Sequence, residues 1–256
     1  MSSVTAQSLC AAMGIGWNTE PDSELLAGSL ATYVASKLNN AIESNGKASL
    51  VVSGGSTPAA VFKRLCKADI DWSCVCVTLA DERWVPPGHA DSNESLVRET
   101  LLVEKAAGAR FVSLYRSDVD PNDALEAVSR DVLDMSLPFT VTMLGMGGDG
   151  HTASLFPDAP ADQLSAAMSL KSSETVAIMN PPSVDQTRIT LTRSALLNSD
   201  NRLLHITGEN KQAVLRDALL DSSTDGVMPG QYRPDLKPIV GLLSRIPDKA
   251  SVFWSP

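Results

Sequence analysis

The sequence predicts an α/β fold in which a mostly parallel, open sheet is flanked by helices. Short apolar runs alternate along the chain with longer amphipathic segments, and such alternation is typical of parallel βαβ units. The chain has 256 residues, of which 43% are hydrophobic and 20% are charged, so it can bury a substantial core. No internal repeat, low-complexity segment or interdomain linker divides it. We therefore expect one α/β domain over residues 1–256.

The predicted elements follow from hydrophobic periodicity. In chain order they are a helix at about 22–42, a strand at 50–52, a helix from Pro58, a strand at 75–80, a helix from about Asn93, a strand at 111–115, a helix at 123–133, strands at 139–144, 175–179, 188–191 and 202–206, helices at 211–220 and 238–243, and a strand at 251–254. The first dozen residues and residues 222–234 are expected to be loose.

Charge and composition exclude several classes of partner. The formal net charge of −9 argues against nucleic acid, because binding to a phosphate backbone needs a broad basic surface. No Lys or Arg precedes Lys37, which removes the basic region of a secretory signal and the Arg-rich face of a mitochondrial transit peptide. No apolar run is long enough to span a bilayer. We expect a cytoplasmic protein without nucleic-acid or membrane partners, and leave open whether it forms a homo-oligomer.

The four cysteines carry no sign of a metal or redox site. Cys74 and Cys76 alternate along an apolar run, so their side chains point to opposite faces and cannot form a CxxC pair. Cys10 and Cys66 are isolated in the sequence. Buried thiols are the expected state of Cys74 and Cys76, and no metal ligation is expected.

The most informative motif is LGMGGDGHTASLFP at residues 144–157. Its four glycines let backbone N–H groups approach a ligand closely, and Asp149 can orient the imidazole of His151 and fix its tautomer. The loop follows a predicted strand, and open α/β sheets bind ligands at the carboxyl ends of their strands. The motif therefore indicates a general-base site. The alternative is a flexible turn in which Asp149 merely holds a polar His151.

The second motif, VVSGGSTPAAVF, predicts an anion site. A strand ends, Gly54 and Gly55 make the turn, Thr57 is expected as the helix N-cap, and Pro58 as the first helical residue. Free N–H groups and the positive end of the helix dipole attract an anion, and the hydroxyls of Ser56 and Thr57 add donors. The same residues also suit a plain strand-to-helix turn, so a cation from elsewhere in the chain is needed to decide.

Two further segments supply cations. Lys211 falls in the first turn of a predicted helix, where a bound anion would relieve its conflict with the helix dipole. Arg83, in DERWVP after a predicted strand, can grip phosphate with a bidentate fork, and Asp81 can bond a sugar hydroxyl or assist proton transfer. The alternatives are a Lys211 that turns into solvent or pairs with Glu209, and a surface salt bridge among Asp81, Glu82 and Arg83.

The remaining polar features are expected to be structural. His89 lies in a loop with Pro and Gly, where we expect a solvated side chain. His205 falls within a predicted strand, where a buried histidine with satisfied hydrogen bonds is the usual case. Asp91 and Glu94 are expected to cap the helix that begins near Asn93.

Together, these segments resemble the 6-phosphogluconolactonases, which share a fold with the glucosamine-6-phosphate deaminases. The matching pieces are SGGSTP at 53–58, DERWVP at 81–86, SNESLVR at 92–98, LGMGGDGHTASLFP at 144–157, RITLT at 188–192 and the segment around Lys211. They occur in the family's order over most of the chain. An ordered set of this kind is far more specific than any single motif.

The resemblance implies hydrolysis of 6-phosphoglucono-δ-lactone to 6-phosphogluconate in the oxidative pentose phosphate pathway, without an organic cofactor or a required metal. It implies that His151 activates the attacking water and that Asp149 orients His151. The implied substrate contacts are Arg83, Lys211, Gly54, Gly55, Ser56 and Thr57 for the phosphate, the N–H groups of Gly147 and Gly148 for the oxyanion, Asp81 for the sugar, and Arg188 as a weaker candidate.

Two other functions fit parts of the pattern. The corresponding motif of the deaminases resembles DGHIAFNEP, whereas this chain has DGHTASLFP. When the two motifs are aligned on DGH, the Glu of the deaminases falls on Phe156. A phenylalanine side chain cannot relay protons. A non-catalytic sugar-phosphate sensor would need only the phosphate loops, whereas this chain retains both Asp149 and His151. A pure binder does not need a base, so turnover of fresh lactone separates the two cases.

Overall fold

The computed structural model describes residues 4–171, 173–223 and 237–256. Its strands are β1 (Gly16–Thr19), β2 (Ala48–Val52), β3 (Val75–Leu79), β4 (Asp81–Arg83), β5 (Arg110–Val112), β6 (Val141–Leu144), β7 (Val176–Met179), β8 (Arg188–Leu191), β9 (Arg202–Thr207) and β10 (Ala250–Ser255). Its helices are α1 (Ala6–Ala12), α2 (Ser23–Asn45), α3 (Ser56–Leu65), α4 (Asn93–Thr100), α5 (Pro121–Leu133), α6 (Ala161–Met168), α7 (Arg193–Leu197), α8 (Glu209–Ser223) and α9 (Pro238–Leu243).

Seven strands form one parallel sheet in the order β1-β10-β9-β6-β2-β3-β5. The central strands β2, β3 and β6 are buried along their whole length, as expected for apolar runs that helices cover on both faces. The predicted α/β fold with a mostly parallel sheet is confirmed. The strand order brings the carboxyl ends of β9, β6, β2 and β3 side by side, and the motifs follow these four strands.

A second sheet of three antiparallel strands, in the order β4-β8-β7, was not predicted. Residues 81–83 were predicted only to follow a strand, but they form β4 and pair with β8. The pairing sets Asp81 opposite Thr190 and Arg83 opposite Arg188. Because a three-residue strand of charged residues shows no alternation of apolar and polar side chains, the sequence pattern could not reveal it.

The core lies on both faces of the parallel sheet. Along β9 and β10, Leu203 and Phe253 join a large cluster that includes side chains of α2 and α3, whereas Leu204 and Val252 join a smaller cluster with α1, α8 and α9. Neighbouring residues of a strand point to opposite faces, so this division follows from the pleat. The organisation as a single domain stays a prediction.

Several element ends differ from the expectations. The first dozen residues, expected to be loose, contain α1, whose first turn is capped by the side chain of Thr5. Helix α3 begins at Ser56 with Gly55 as its N-cap, so Thr57 is not the N-cap and Pro58 is not the first helical residue. The short helices α6 and α7 were not predicted. Residues 224–234 of the second segment expected to be loose lie outside the described residues.

Of the two thiols expected to be buried, the structure buries one. Cys74 belongs to a turn of 3-10 helix at Trp72–Cys74 and is only half-buried, whereas Cys76 is buried in β3. The expectation of a buried thiol at Cys74 was therefore wrong.

Across the three described ranges, no helix has both the length and the apolar character to cross a bilayer.

Candidate active site

A cavity of about 430 Å³ opens at the carboxyl ends of β2, β3, β6 and β9. Its lining contains most of the site residues expected from the sequence: Gly54, Gly55, Thr57, Asp81, Arg83, Gly147, His151, Arg188 and Lys211. Ser56, Gly148 and Asp149 do not line it, although Asp149 contacts His151 directly. Segments far apart in the sequence thus meet at one edge of the sheet.

Asp149 and His151 form a hydrogen-bonded pair in the loop after β6. The distance between Oδ1 of Asp149 and Nδ1 of His151 is 2.7 Å, and the same oxygen accepts the backbone N–H of His151 at 3.1 Å. Partial burial raises the pKa of Asp149. The hydrogen bonds from the backbone N–H and the ring of His151 together outweigh this effect, so the net pKa lies below its ordinary value. An ionised Asp149 accepts a hydrogen bond from Nδ1–H of His151, and in this tautomer Nε2 carries the free lone pair.

Gly147 is required by this pair. A Cβ at residue 147 would lie 2.2 Å from ring atoms of His151 and 2.5 Å from Oδ1 of Asp149, so a side chain there would displace them. The N–H of Gly147 donates to the carbonyl oxygen of His151 at 2.8 Å. It is therefore not free for an oxyanion, and the assignment of that role to Gly147 is corrected. The corresponding assignment for Gly148 stays a prediction.

The loop after β2 approaches α4 closely at Gly54. A Cβ at residue 54 would lie 1.8 Å from Oδ1 of Asn93, so only glycine fits there. Nδ2 of Asn93 donates to the carbonyl oxygen of Asp81 at 2.9 Å, and Asn93 itself lines the cavity. Asn93 thus links α4 to β4 beside the N-terminus of α3, where no side chain of the described residues caps the first N–H groups of that helix.

Helix α4 is held by Glu82 and not by Asp91. The N-cap is Ser92, and the buried carboxylate of Glu82 accepts the N–H groups of Asn93 and Glu94 at 2.8 and 2.7 Å. Burial raises the pKa of Glu82, and these donors act against that rise. The expected capping by Asp91 and Glu94 was wrong, because the acceptor comes from a neighbouring strand.

Arg83 and Arg188 stand side by side on the small sheet. Nη1 of Arg83 donates to the carbonyl oxygen of Asp91 at 2.6 Å, but the Nε atoms of both arginines are buried without a hydrogen-bond partner. Burial lowers the pKa of Arg188, and the neighbouring charge of Arg83 lowers it further. Two adjacent guanidinium groups with unused donors have the chemistry that binds an anion.

Lys211 faces the cavity from the third position of α8. Within the described parts of the chain it makes no ion pair, so the alternative of a pair with Glu209 is not realised. The cavity therefore has cations on both sides of His151, with Lys211 after β9 and Arg83 after β3. Asp81, also in the lining, accepts the hydroxyl of Ser154 at 2.5 Å.

His205 departs from the expectation of a satisfied core histidine. It is 5% exposed and lines the cavity, and neither of its ring nitrogens has a hydrogen-bond partner. Burial lowers its pKa to about 4, so the ring is neutral near pH 7. His89, by contrast, is exposed as expected.

The comparisons with known proteins identify the family. A family model described as "Glucosamine-6-phosphate isomerases/6-phosphogluconolactonase" matches residues 21–234. The chain belongs to this family. The predicted resemblance is thereby confirmed.

Several similar proteins are named 6-phosphogluconolactonases. The 6-phosphogluconolactonase of Pseudomonas aeruginosa is 43% identical over 206 residues, which cover 80% of this chain and 86% of that protein. The 6-phosphogluconolactonase of Mesorhizobium japonicum is 39% identical over 240 residues, or 94% of this chain and 95% of that protein. A crystal structure of a 6-phosphogluconolactonase from Shewanella baltica superposes with a TM-score of 0.85 at 39% identity, over 94% of this chain and 98% of that one.

Sequence analysis missed three contributors to the site. Asn93 was predicted only as the start of a helix within SNESLVR. A strand pattern cannot predict that the ring nitrogens of His205 lack hydrogen-bond partners. Glu82 was considered only as part of a surface salt bridge. Among the described residues, no group of three or more His, Cys, Asp and Glu side chains could hold a metal ion.

Proposed function

We propose that the protein hydrolyses 6-phosphoglucono-δ-lactone to 6-phosphogluconate, as its relatives' names state for them. In the oxidative pentose phosphate pathway this reaction opens the lactone ring. The observation that carries the proposal is the hydrogen-bonded pair of Asp149 and His151 at the edge of a cavity that also holds three cationic side chains. A general base next to an anion-binding site suits the hydrolysis of an ester that carries a phosphate group, as this lactone does.

In the proposed mechanism His151 acts as general base. Its Nε2 takes a proton from a water molecule, and the water oxygen attacks the lactone carbonyl carbon. The carbonyl electron pair moves to oxygen and forms a tetrahedral oxyanion. When this intermediate collapses, the ring C–O bond breaks, and the leaving oxygen takes the proton back from the imidazolium. Asp149 stabilises the imidazolium and keeps Nε2 directed at the water.

The phosphate is proposed to bind between Arg83 and Lys211, over the N-terminus of α3. The backbone of Gly54 and Gly55 and the hydroxyls of Ser56 and Thr57 complete that site. Three other residues have proposed contacts elsewhere on the substrate: Asp81 with a sugar hydroxyl, Arg188 with an anionic oxygen through its unused donors, and Gly148 with the oxyanion through its N–H.

The proposal is tested by an assay on freshly generated lactone, corrected for spontaneous hydrolysis. We expect rapid turnover that is unchanged by a metal chelator, since no residue of the proposed mechanism needs a metal. Glucosamine 6-phosphate serves as the second substrate and should release no ammonia above background, because Phe156 cannot relay protons. Steady ammonia release would assign the chain to the deaminase activity, and tight binding without turnover of the lactone would identify a sensor.

A further inference from the structure

The ring of Phe156 stacks on the imidazole of His151. The ring centroids are 4.1 Å apart and the planes are inclined by 27°. Phe156 is 6% exposed and belongs to the larger core cluster, so its own position is fixed by packing. A rigid aromatic face thus lies against a histidine whose side chain is 30% exposed.

A tight turn brings Phe156 back to His151. The N–H of Leu155 donates to the carbonyl oxygen of Thr152 at 3.0 Å, and the hydroxyl of Thr152 donates to the carbonyl oxygen of Gly145 at 2.8 Å. Ser154, at the centre of the turn, is fully buried.

The small sheet anchors this turn through Ser154. Its hydroxyl donates to Oδ2 of Asp81 at 2.5 Å, and its backbone N–H donates to Oγ1 of Thr190 at 3.3 Å. Asp81 and Thr190 are paired residues of β4 and β8. The small sheet therefore holds the segment that carries Phe156.

We propose that Phe156 is a positioning residue for the general base, and that Asp81 supports it through Ser154; this inference rests on the proposed function. The hydrogen bond to Asp149 fixes one edge of the imidazole but leaves the ring free to tilt about that contact. The face of Phe156 removes this freedom. Together the two contacts hold Nε2 in one direction, so the attacking water meets the base in a constant geometry.

The first test compares two variants of the same residue. Phe156→Met keeps an apolar side chain of adaptable shape but removes the flat face, whereas Phe156→Tyr keeps the face at a residue that lines the cavity. We expect Phe156→Met to lower kcat about 3- to 10-fold with KM unchanged within about twofold, the range that one aromatic stack supports. Phe156→Tyr should keep kcat close to that of the wild type.

Phe139→Met is the matched control, because Phe139 is also a core aromatic but precedes β6 at the end away from the cavity. Its kcat should stay unchanged even if its melting temperature falls. An equal loss of kcat in Phe139→Met and Phe156→Met would overturn the proposal, as would full kcat in Phe156→Met. If Phe156→Met does not fold, Ser154→Ala provides a second test of the same turn. We expect Ser154→Ala to lower kcat with KM retained. A wild-type kcat in Ser154→Ala would contradict the role of the turn.

The stack itself is measured without turnover, from the proton NMR signal of the His151 ring. The chain has three histidines, so His151→Gln assigns the signal. The ring current of Phe156 should move the Hε1 signal upfield in the wild type and in Phe156→Tyr, and Phe156→Met should return it downfield. An unmoved signal would overturn the inference. Absence of lactone turnover by the wild type would instead refute the proposed function, while the NMR result would still report on the stack.

Discussion

The loop after β6, residues 145–157, and the small sheet meet in one cavity but differ in how their polar groups are satisfied. In the loop, Asp149 is bonded to His151 and Ser154 to Asp81. On the small sheet, the Nε atoms of Arg83 and Arg188 are buried without a partner. Under the proposed function, the reacting end is therefore ordered before the substrate binds, whereas the binding end keeps unused donors for an anion. Preorganisation suits the group that must act in the transition state, and unused donors suit the group that must hold a ligand.

Arg202 provides the contrast within the same molecule. It is 1% exposed, and its guanidinium donates to main-chain carbonyl oxygens of Leu197, Ser199, Leu242, Arg245 and Ile246. A buried arginine that serves the fold is thus surrounded by acceptors. Arg83 and Arg188 lack such a shell at Nε, which supports a role in binding.

Replacement of the base should have the largest effect. His151→Gln is expected to fold normally and to lose roughly 10² to 10⁴ in kcat, the usual contribution of a positioned general base. The measurement is the initial rate on fresh lactone, with the melting temperature as a check of folding. Near wild-type activity in the folded variant would refute the mechanism.

The contrast between the arginines is tested by stability. Arg202→Met should lower the free energy of unfolding by about 3 to 5 kcal/mol, because several buried carbonyl groups lose their donor. Arg188→Met should change it by less than about 1 kcal/mol, since it removes a buried charge whose Nε has no partner. Chemical denaturation of both variants without ligand measures the difference. Equal destabilisation would mean that Arg188 is structural.

The phosphate clamp should show an intermediate effect. Arg83→Ala and Lys211→Ala should each lower kcat/KM for the phosphorylated lactone by about 10- to 150-fold, as expected when a charge-assisted hydrogen bond worth roughly 1.5 to 3 kcal/mol is lost. The loss should fall mainly on KM. A change confined to kcat would instead assign these side chains to the chemical step.

The smallest effect concerns acid stability. The folded pKa of His205, about 4, lies below the ordinary value of 6.5, so the unfolded chain binds a proton that the folded chain does not. The free energy of unfolding should therefore fall between about pH 6.5 and 4, by roughly 1 to 3 kcal/mol from this residue. Denaturation at pH 7 and pH 4.5 should give a smaller difference in His205→Leu than in the wild type. An equal difference in His205→Leu and in the wild type would contradict this account.

The sequence predicted the parallel sheet because its strands are buried apolar runs with helices between them. It also predicted which segments line the cavity, because Gly54, His151 and Lys211 each follow such a run. The small sheet escaped prediction, since β4 consists of three charged residues and its pairing with β8 depends on contacts distant in sequence. For the same reason Arg83 and Arg188 could not be recognised as neighbours.

Details of hydrogen bonding were the least predictable. Glu82 holds the start of α4 from another strand, and the nearby Asp91 has no part in that cap. The N–H of Gly147 is used within its own loop, so a glycine-rich pattern alone did not identify the oxyanion donor. Such choices depend on side-chain and backbone positions that only the folded chain defines.

In the proposed function the loop after β6 performs the chemistry, while Arg83 and its neighbours recognise the phosphate. The most direct test is the ratio of kcat/KM for 6-phosphoglucono-δ-lactone to kcat/KM for unphosphorylated glucono-δ-lactone. Asp149→Asn, expected to lose less activity than His151→Gln, should slow both substrates alike and leave the ratio at its wild-type value. Arg83→Ala should lower the ratio by about 10- to 150-fold. An unchanged ratio in Arg83→Ala, or a collapsed ratio in Asp149→Asn, would contradict this division of roles.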